Sequence, residues 1–160
     1  MSNKNIPNCL FKRFVWMRIN TIELFKLAKK AKVLSYKPKY LIENPTENHD
    51  LLYQFQCILT SADTHFRRLR GDKNQNYGIY IKNNEIIKKR KIKEKDVLAF
   101  LKQPIEVAKK IVDNYSDLEK IIATFITLHE HESLHQGQLV VMFRETKVEF
   151  PEVFKKAWNL

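Results

Sequence analysis

Residues Leu128 to Arg144 read LHEHESLHQGQLVVMFR, with His131 and His135 four positions apart. On an α-helix four residues turn through about 400°, so both imidazoles project from one face. A helix is predicted because Ile121, Ile122, Phe125, Leu128, Leu139, Met142 and Phe143 return every three or four positions. Ser116 followed by Glu119 is a capping-box pattern that would start it. Gly137 costs helix stability, and a glycine tolerated there predicts a close approach to the backbone. Two neutral imidazoles so placed can share a borderline metal ion such as zinc or nickel. The plain alternative is a pair of solvated or hydrogen-bonded histidines, since a catalytic zinc takes about three protein ligands and one helix supplies only a pair. His129 falls on another face and reads as a surface histidine. Glu130 and Glu132 read as solvated charges, or one of them as the acceptor that fixes an imidazole tautomer.

The neighbouring segments also read as helices. Asp96 to Asn114 carries Val97, Leu98, Phe100, Leu101, Ile105, Ala108, Ile111 and Val112 at helical spacing. Asp96 is its expected N-cap, and Pro104 is expected to kink it or split off its start. The short turn that follows predicts that this helix and the next are antiparallel neighbours. Glu47 to Arg70 forms another helix, capped by Asn44 or Thr46 and ended by Gly71. Its apolar stripe is Leu51, Leu52, Phe55, Ile58, Leu59, Ala62, Phe66 and Leu69. Beside that stripe runs a second line: Tyr53, Gln54, Cys57, Ser61, His65 and Arg68. This line is either a solvated face or the border of an interior cavity. Cys57 favours the cavity, because free cysteine is among the most buried residue types.

Asn8 to Lys32 is the first helix, with Leu10, Phe11, Phe14, Val15, Ile22, Phe25 and Leu27 on its apolar side. Val33 to Asn48, broken by Pro38 and Pro45, is long enough to cross between helices that are not neighbours. Tyr77 to Ile81 and Glu85 to Ile87 predict a short hairpin across Lys82-Asn83-Asn84. After Arg144, Val148 to Pro151 and then Val153, Phe154 and Trp158 predict a loop and a helical turn folded back over the rest. The expected fold is therefore all-α, a four-helix bundle with a long crossover connection and a short β-hairpin, in one domain over residues 1–160.

Composition narrows the classes. Three glycines and five prolines are too few for a sandwich or barrel. No apolar run approaches the ~18 residues that span a bilayer. The opening MSNKNIPNCLFKRF lacks the order of a secretory signal, so a cytoplasmic location is expected. Cys9 and Cys57 are too few for a disulfide framework. The net charge is +11, from 29 Lys+Arg against 18 Asp+Glu, which permits salt-sensitive attraction to nucleic acid or small anions. The basic run Lys88 to Lys95 (KKRKIKEK) has no interleaved aromatics and is a weak nucleic-acid signal. Trp16 and Phe11 could face a second copy, so a homodimer is expected.

HESLHQGQLVVMFR resembles the last-helix signature of the DinB/YfiT-like four-helix-bundle proteins, through His131, His135, Gly137, Gln138 and Arg144. FKRFVWMRINTIELF resembles that family's first helix, and FPEVFKKAW its Pro-rich tail ending in Trp. The resemblance covers nearly the whole chain. It implies a divalent metal, often zinc or nickel, held by two His of the fourth helix and one of the second. Aligned without gaps through CILTSADTHFRRLRG, the second-helix ligand position is Cys57. A Cys57, His131, His135 set with one open position is chemically sensible, thiolate being a good zinc ligand. His65 is the alternative third ligand, about 12 Å further along the same line. The chain also departs from the family at Gln136, where a basic residue is usual, and at Thr146 or Lys147, where a glycine is usual. The activity the resemblance implies is metal-dependent, thiol-linked transfer or hydrolysis on a small molecule, with a low-molecular-weight thiol as the expected partner. The competing expectation is a member without metal that binds an anionic partner such as nucleic acid.

Overall fold

A computed structural model describes residues 5–38 and 49–159. Within them the protein is mainly helical: five helices, four of them long, and one two-stranded antiparallel sheet. Helix α1 spans Asn5–Lys30, α2 Leu51–Leu69, α3 Glu94–Asn114, α4 Leu118–Thr146 and α5 Glu152–Trp158. Strands β1 (Ile79–Lys82) and β2 (Glu85–Lys88) lie between α2 and α3. Among the described residues no helix is long and apolar enough to cross a membrane.

The helix ends follow local chemistry. Asp50 caps α2, its carboxylate accepting from the Tyr53 amide at 2.8 Å. The expected caps Asn44 and Thr46, and the expected start at Glu47, lie outside the described residues. Gly71 ends α2 at φ +72°, the left-handed conformation that glycine adopts freely. Helix α4 starts one residue later than the Ser116–Glu119 pattern predicts. Asp117 is the cap, accepting from the Lys120 amide at 3.1 Å, and a carboxylate is at least as good an acceptor there as a hydroxyl. Helix α3 begins at Glu94, which puts Asp96 in the first turn, where an acid still complements the helix dipole. It runs as one element through Pro104, whose buried ring packs into the interior. The hairpin pairs Ile79 with Lys88 and Lys82 with Glu85. Asn83 and Asn84 take φ 49° and 66° between the strands, as a two-residue primed turn requires.

Helices α1 and α2 each pack against both α3 and α4, whereas α1 touches α2 little and α3 touches α4 little. The expected neighbours α3 and α4 thus lie across from one another. The link from Asn114 to Leu118 reaches up to about 14 Å when extended, enough for a diagonal between helices packed 8–10 Å apart. The long connection between α1 and α2 likewise joins helices that are not close neighbours, as expected.

The interior has two apolar clusters with a polar layer between them. One gathers Phe14, Ala62, Phe66, Ala108, Ile111, Phe125 and Leu128. The other gathers Phe25, Phe55, Ile58, Leu101, Leu139, Phe143 and Phe154. In the tail, Phe154 stacks on Phe150 and Trp158, and Phe150 meets Phe143, which docks the tail against α4. Trp16 is exposed, but Phe11 packs partly on the first cluster, so only one of the two expected interface aromatics is free. Between the clusters, α1 contributes buried Arg18, Asn20 and Thr21, α2 contributes Gln54, Thr60 and Ser61, and α4 contributes Glu132, His135 and Gln136.

Candidate functional site

Successive helix residues point about 100° apart, so His131/His135 and Glu132/Gln136 on α4 address two different neighbours. The first pair meets α2. Sγ of Cys57 and a ring nitrogen from each of His131 and His135 all lie within 4.8 Å of one another. A tetrahedral zinc would hold sulfur and nitrogen donors about 3.5 Å apart, a difference that small side-chain rotations close. The two rings stand edge to face, with centroids 4.6 Å apart. Cys57 is half-buried and His135 buried.

The protonation of the two rings follows from their surroundings. His135 Nδ1 donates to Gln54 Oε1 at 2.6 Å, which places the proton on Nδ1 and leaves Nε2 with a free lone pair. His131 Nε2 is buried and has no hydrogen-bond partner. Burial, and next the neighbouring His131, push the His135 imidazolium down to about 4. Burial also lowers His131, opposed by the Cys57 carbonyl beside its ring. Both rings are therefore neutral near pH 7, the state that binds a metal. Ser61 Oγ on α2, and Arg18 Nε and Nη1 and the Asn20 amide on α1, are further buried polar atoms without partners in this layer. Orphaned buried polar atoms are unusual, and an absent ion or ordered water is a common reason for them. The donor set fits a borderline divalent ion.

The second pair on α4 meets α1. Glu132 is buried, not solvated as the sequence suggests, because Arg18 and Thr21 come from α1 to meet it. Its Oε2 lies 3.0 Å from Arg18 Nη2, and Thr21 Oγ1 donates to its Oε1 at 2.6 Å. Gln136 Nε2 donates to Thr21 Oγ1 and to the Met17 carbonyl, each at 2.9 Å. Burial raises Glu132 and lowers Arg18, and each charge opposes the other's shift. This arrangement commits Glu132 to holding α4 on α1 and does not point it at the cysteine.

His65 takes no part in the cluster. Its Nε2 lies 3.5 Å from Tyr77 Oη and the two rings meet edge to face, while Arg68 stacks over Tyr77 at 3.9 Å. Burial, then Arg68, depress its imidazolium to about 4. His129 is half-buried beside Phe125, not a plain surface histidine. Nor does anything crowd Gly137: a Cβ built there meets no atom within 4 Å. Gly137 is about 200° around the helix from His135, so its open space is not the site.

Two contributors are not singled out as site residues by the sequence. Gln54 sits on the predicted line one turn before Cys57, which was a usable signal. Lys89 gave none. It arrives from the 3-10 turn Lys89–Lys91 after β2, and its Nζ lies 3.6 Å from Cys57 Sγ and 2.8 Å from Tyr53 Oη. No family model, no curated protein and no solved structure matches the chain.

Proposed function

We propose that the chain is a DinB/YfiT-like four-helix bundle whose site holds one divalent ion, zinc or nickel, on Cys57, His131 and His135. One observation carries this reading: three donor atoms from α2 and α4 converge within 4.8 Å, and His131 Nε2 is buried there without a partner. Lys147 lends further support to the alignment. It ends α4 at φ 57°, the left-handed conformation for which the family's glycine at this place is suited.

A bound ion would act as a Lewis acid and acidify a water or thiol in its open position. The chain's own residues prepare that chemistry. Gln54 fixes the His135 tautomer, and burial keeps both imidazoles neutral. The Arg18–Glu132 pair seats α4 so that both rings face α2. The activity proposed is thiol-linked transfer or hydrolysis on a small molecule.

The purified protein should carry about one zinc or nickel per chain by elemental analysis. Absence of both after supplementation at neutral pH would sink the reading. Cys57→Ala should weaken metal retention by about 100-fold or more. A chelator should also expose Cys57 to alkylation in the wild type. The net charge of +11 favours a second reading, a metal-free module for an anionic partner such as nucleic acid. That reading predicts equal alkylation with and without chelator, and binding that fades steeply with salt.

A further inference from the structure

The hairpin has a consequence for what enters the site. Its backbone fixes the start of the basic run against α2. The Lys89 amide donates to the Gly78 carbonyl at 2.7 Å, the Ile92 amide to the Lys89 carbonyl at 3.2 Å, and Gln56 Nε2 to the Ile92 carbonyl at 2.9 Å. Pinned in this way, the Lys89 ammonium stands 3.6 Å from the Cys57 sulfur, and its charge also reaches His131 and His135. Arg90 lies 4.1 Å over the ring of Tyr53, and His49 stacks parallel to that ring with centroids 4.4 Å apart. Among the described residues, no carboxylate forms an ion pair with Lys89 or Arg90.

The local charge can be counted. A divalent ion with one thiolate and two neutral imidazoles is left with one positive charge, and Lys89 adds another. Nothing among the described protein groups at this point neutralises that excess. A neutral ligand would leave it so, and an anionic one would remove it. Lys89 uses two of its three N–H groups on Tyr53 and Cys57, which leaves one for an incoming oxygen.

Building on the metal-holding reading of the site, we infer that Lys89 is an anion-recognition residue and that the small-molecule substrate carries a carboxylate or phosphate group next to its reacting atom. Arg90 and Tyr53 form the rim past which that group enters.

The test uses the full chain loaded with cobalt(II), whose visible bands report ligand exchange, titrated with acetate, inorganic phosphate and the neutral isostere acetamide. Wild-type protein should respond to one of the two anions at about 10- to 100-fold lower concentration than to acetamide, as a charge-assisted hydrogen bond provides. Which anion is preferred tells carboxylate from phosphate. Lys89→Met should cut that preference about tenfold, leaving the part due to the metal centre's own residual charge, and Lys89→Arg should keep most of it. The sulfur-to-cobalt charge-transfer band should persist in both variants, which reports an intact Cys57 ligand. An unchanged preference in Lys89→Met, or none in the wild type, overturns the inference while leaving the metal site standing. Failure of the wild type to show a Cys57-dependent band overturns the metal reading, and the inference with it.

Discussion

The two inward directions of α4 use neighbouring residues for opposite ends. Toward α1, Glu132 and Gln136 are tied by short bonds to Arg18, Thr21 and the Met17 carbonyl. Toward α2, His131 and His135 bring ring nitrogens beside the Cys57 sulfur, His131 Nε2 without a partner and His135 Nδ1 on Gln54. The polar layer is the same, but Glu132 and Gln136 are fully buried whereas His131 and Cys57 are half-buried. What differs is the chemistry of the groups: an ion pair with hydrogen bonds toward α1, a thiol and two imidazoles within reach of one another toward α2. A buried polar group without a partner costs stability, and such groups remain on both sides: Arg18 Nε and Nη1 and the Asn20 amide on α1, His131 Nε2 and Ser61 Oγ between α4 and α2. The tied side supplies the rigidity that keeps the free side aimed.

The largest expected effect tests the tied side. Glu132→Leu should cost about 3–5 kcal/mol, because it strands the Arg18 guanidinium in the interior. Thermal or denaturant unfolding measures this. The double variant Arg18→Met with Glu132→Leu should recover most of the loss, since no buried charge then remains unpaired. A single variant as stable as wild type would show that the pair is not formed in solution.

The next effect is on the free side. Gln54→Leu should lower metal affinity about 10- to 100-fold by releasing the His135 tautomer, with a much smaller effect on unfolding than Glu132→Leu. Equal damage to folding and metal retention would erase the distinction between the two sides.

The smallest effect sharpens the comparison through pH. His135 and His65 are depressed from 6.5 to about 4, and His131 and His129 are lowered too, each first by burial. Between about pH 6.5 and 4 the unfolded chain therefore binds more protons than the folded one, so stability falls as pH drops through that window. Metal-stripped protein should melt at lower temperature at pH 5 than at pH 7. A flat profile would place these imidazoles in solvent.

Much of this architecture was legible in the residues. The apolar spacing identifies the four long helices, Asn83-Asn84 the hairpin turn, and Gly71 the end of α2. The His131–His135 pair and the line through Cys57 name the cluster that the helices bring together. Cap positions slipped, by one residue at α4, three at α3 and four or more at α2, because neighbouring residues such as Asp117 and Ser116 compete for the same amides and only the folded backbone chooses. Glu132 was misread for a more general reason: a carboxylate is solvated by default, and its burial depends on Arg18, 114 positions away in the chain.

The sequence by itself determined which segments are helical and which side chains share a helix face, because both follow from a period of 3.6 residues. Only the tertiary structure decided that α3 and α4 lie diagonally, that one polar layer separates two apolar clusters, and that Lys89 stands beside Cys57. The physical reason is range. Periodicity and capping act over a few residues, whereas pairing buried charges and donors depends on which distant surfaces pack together, and no local pattern encodes that.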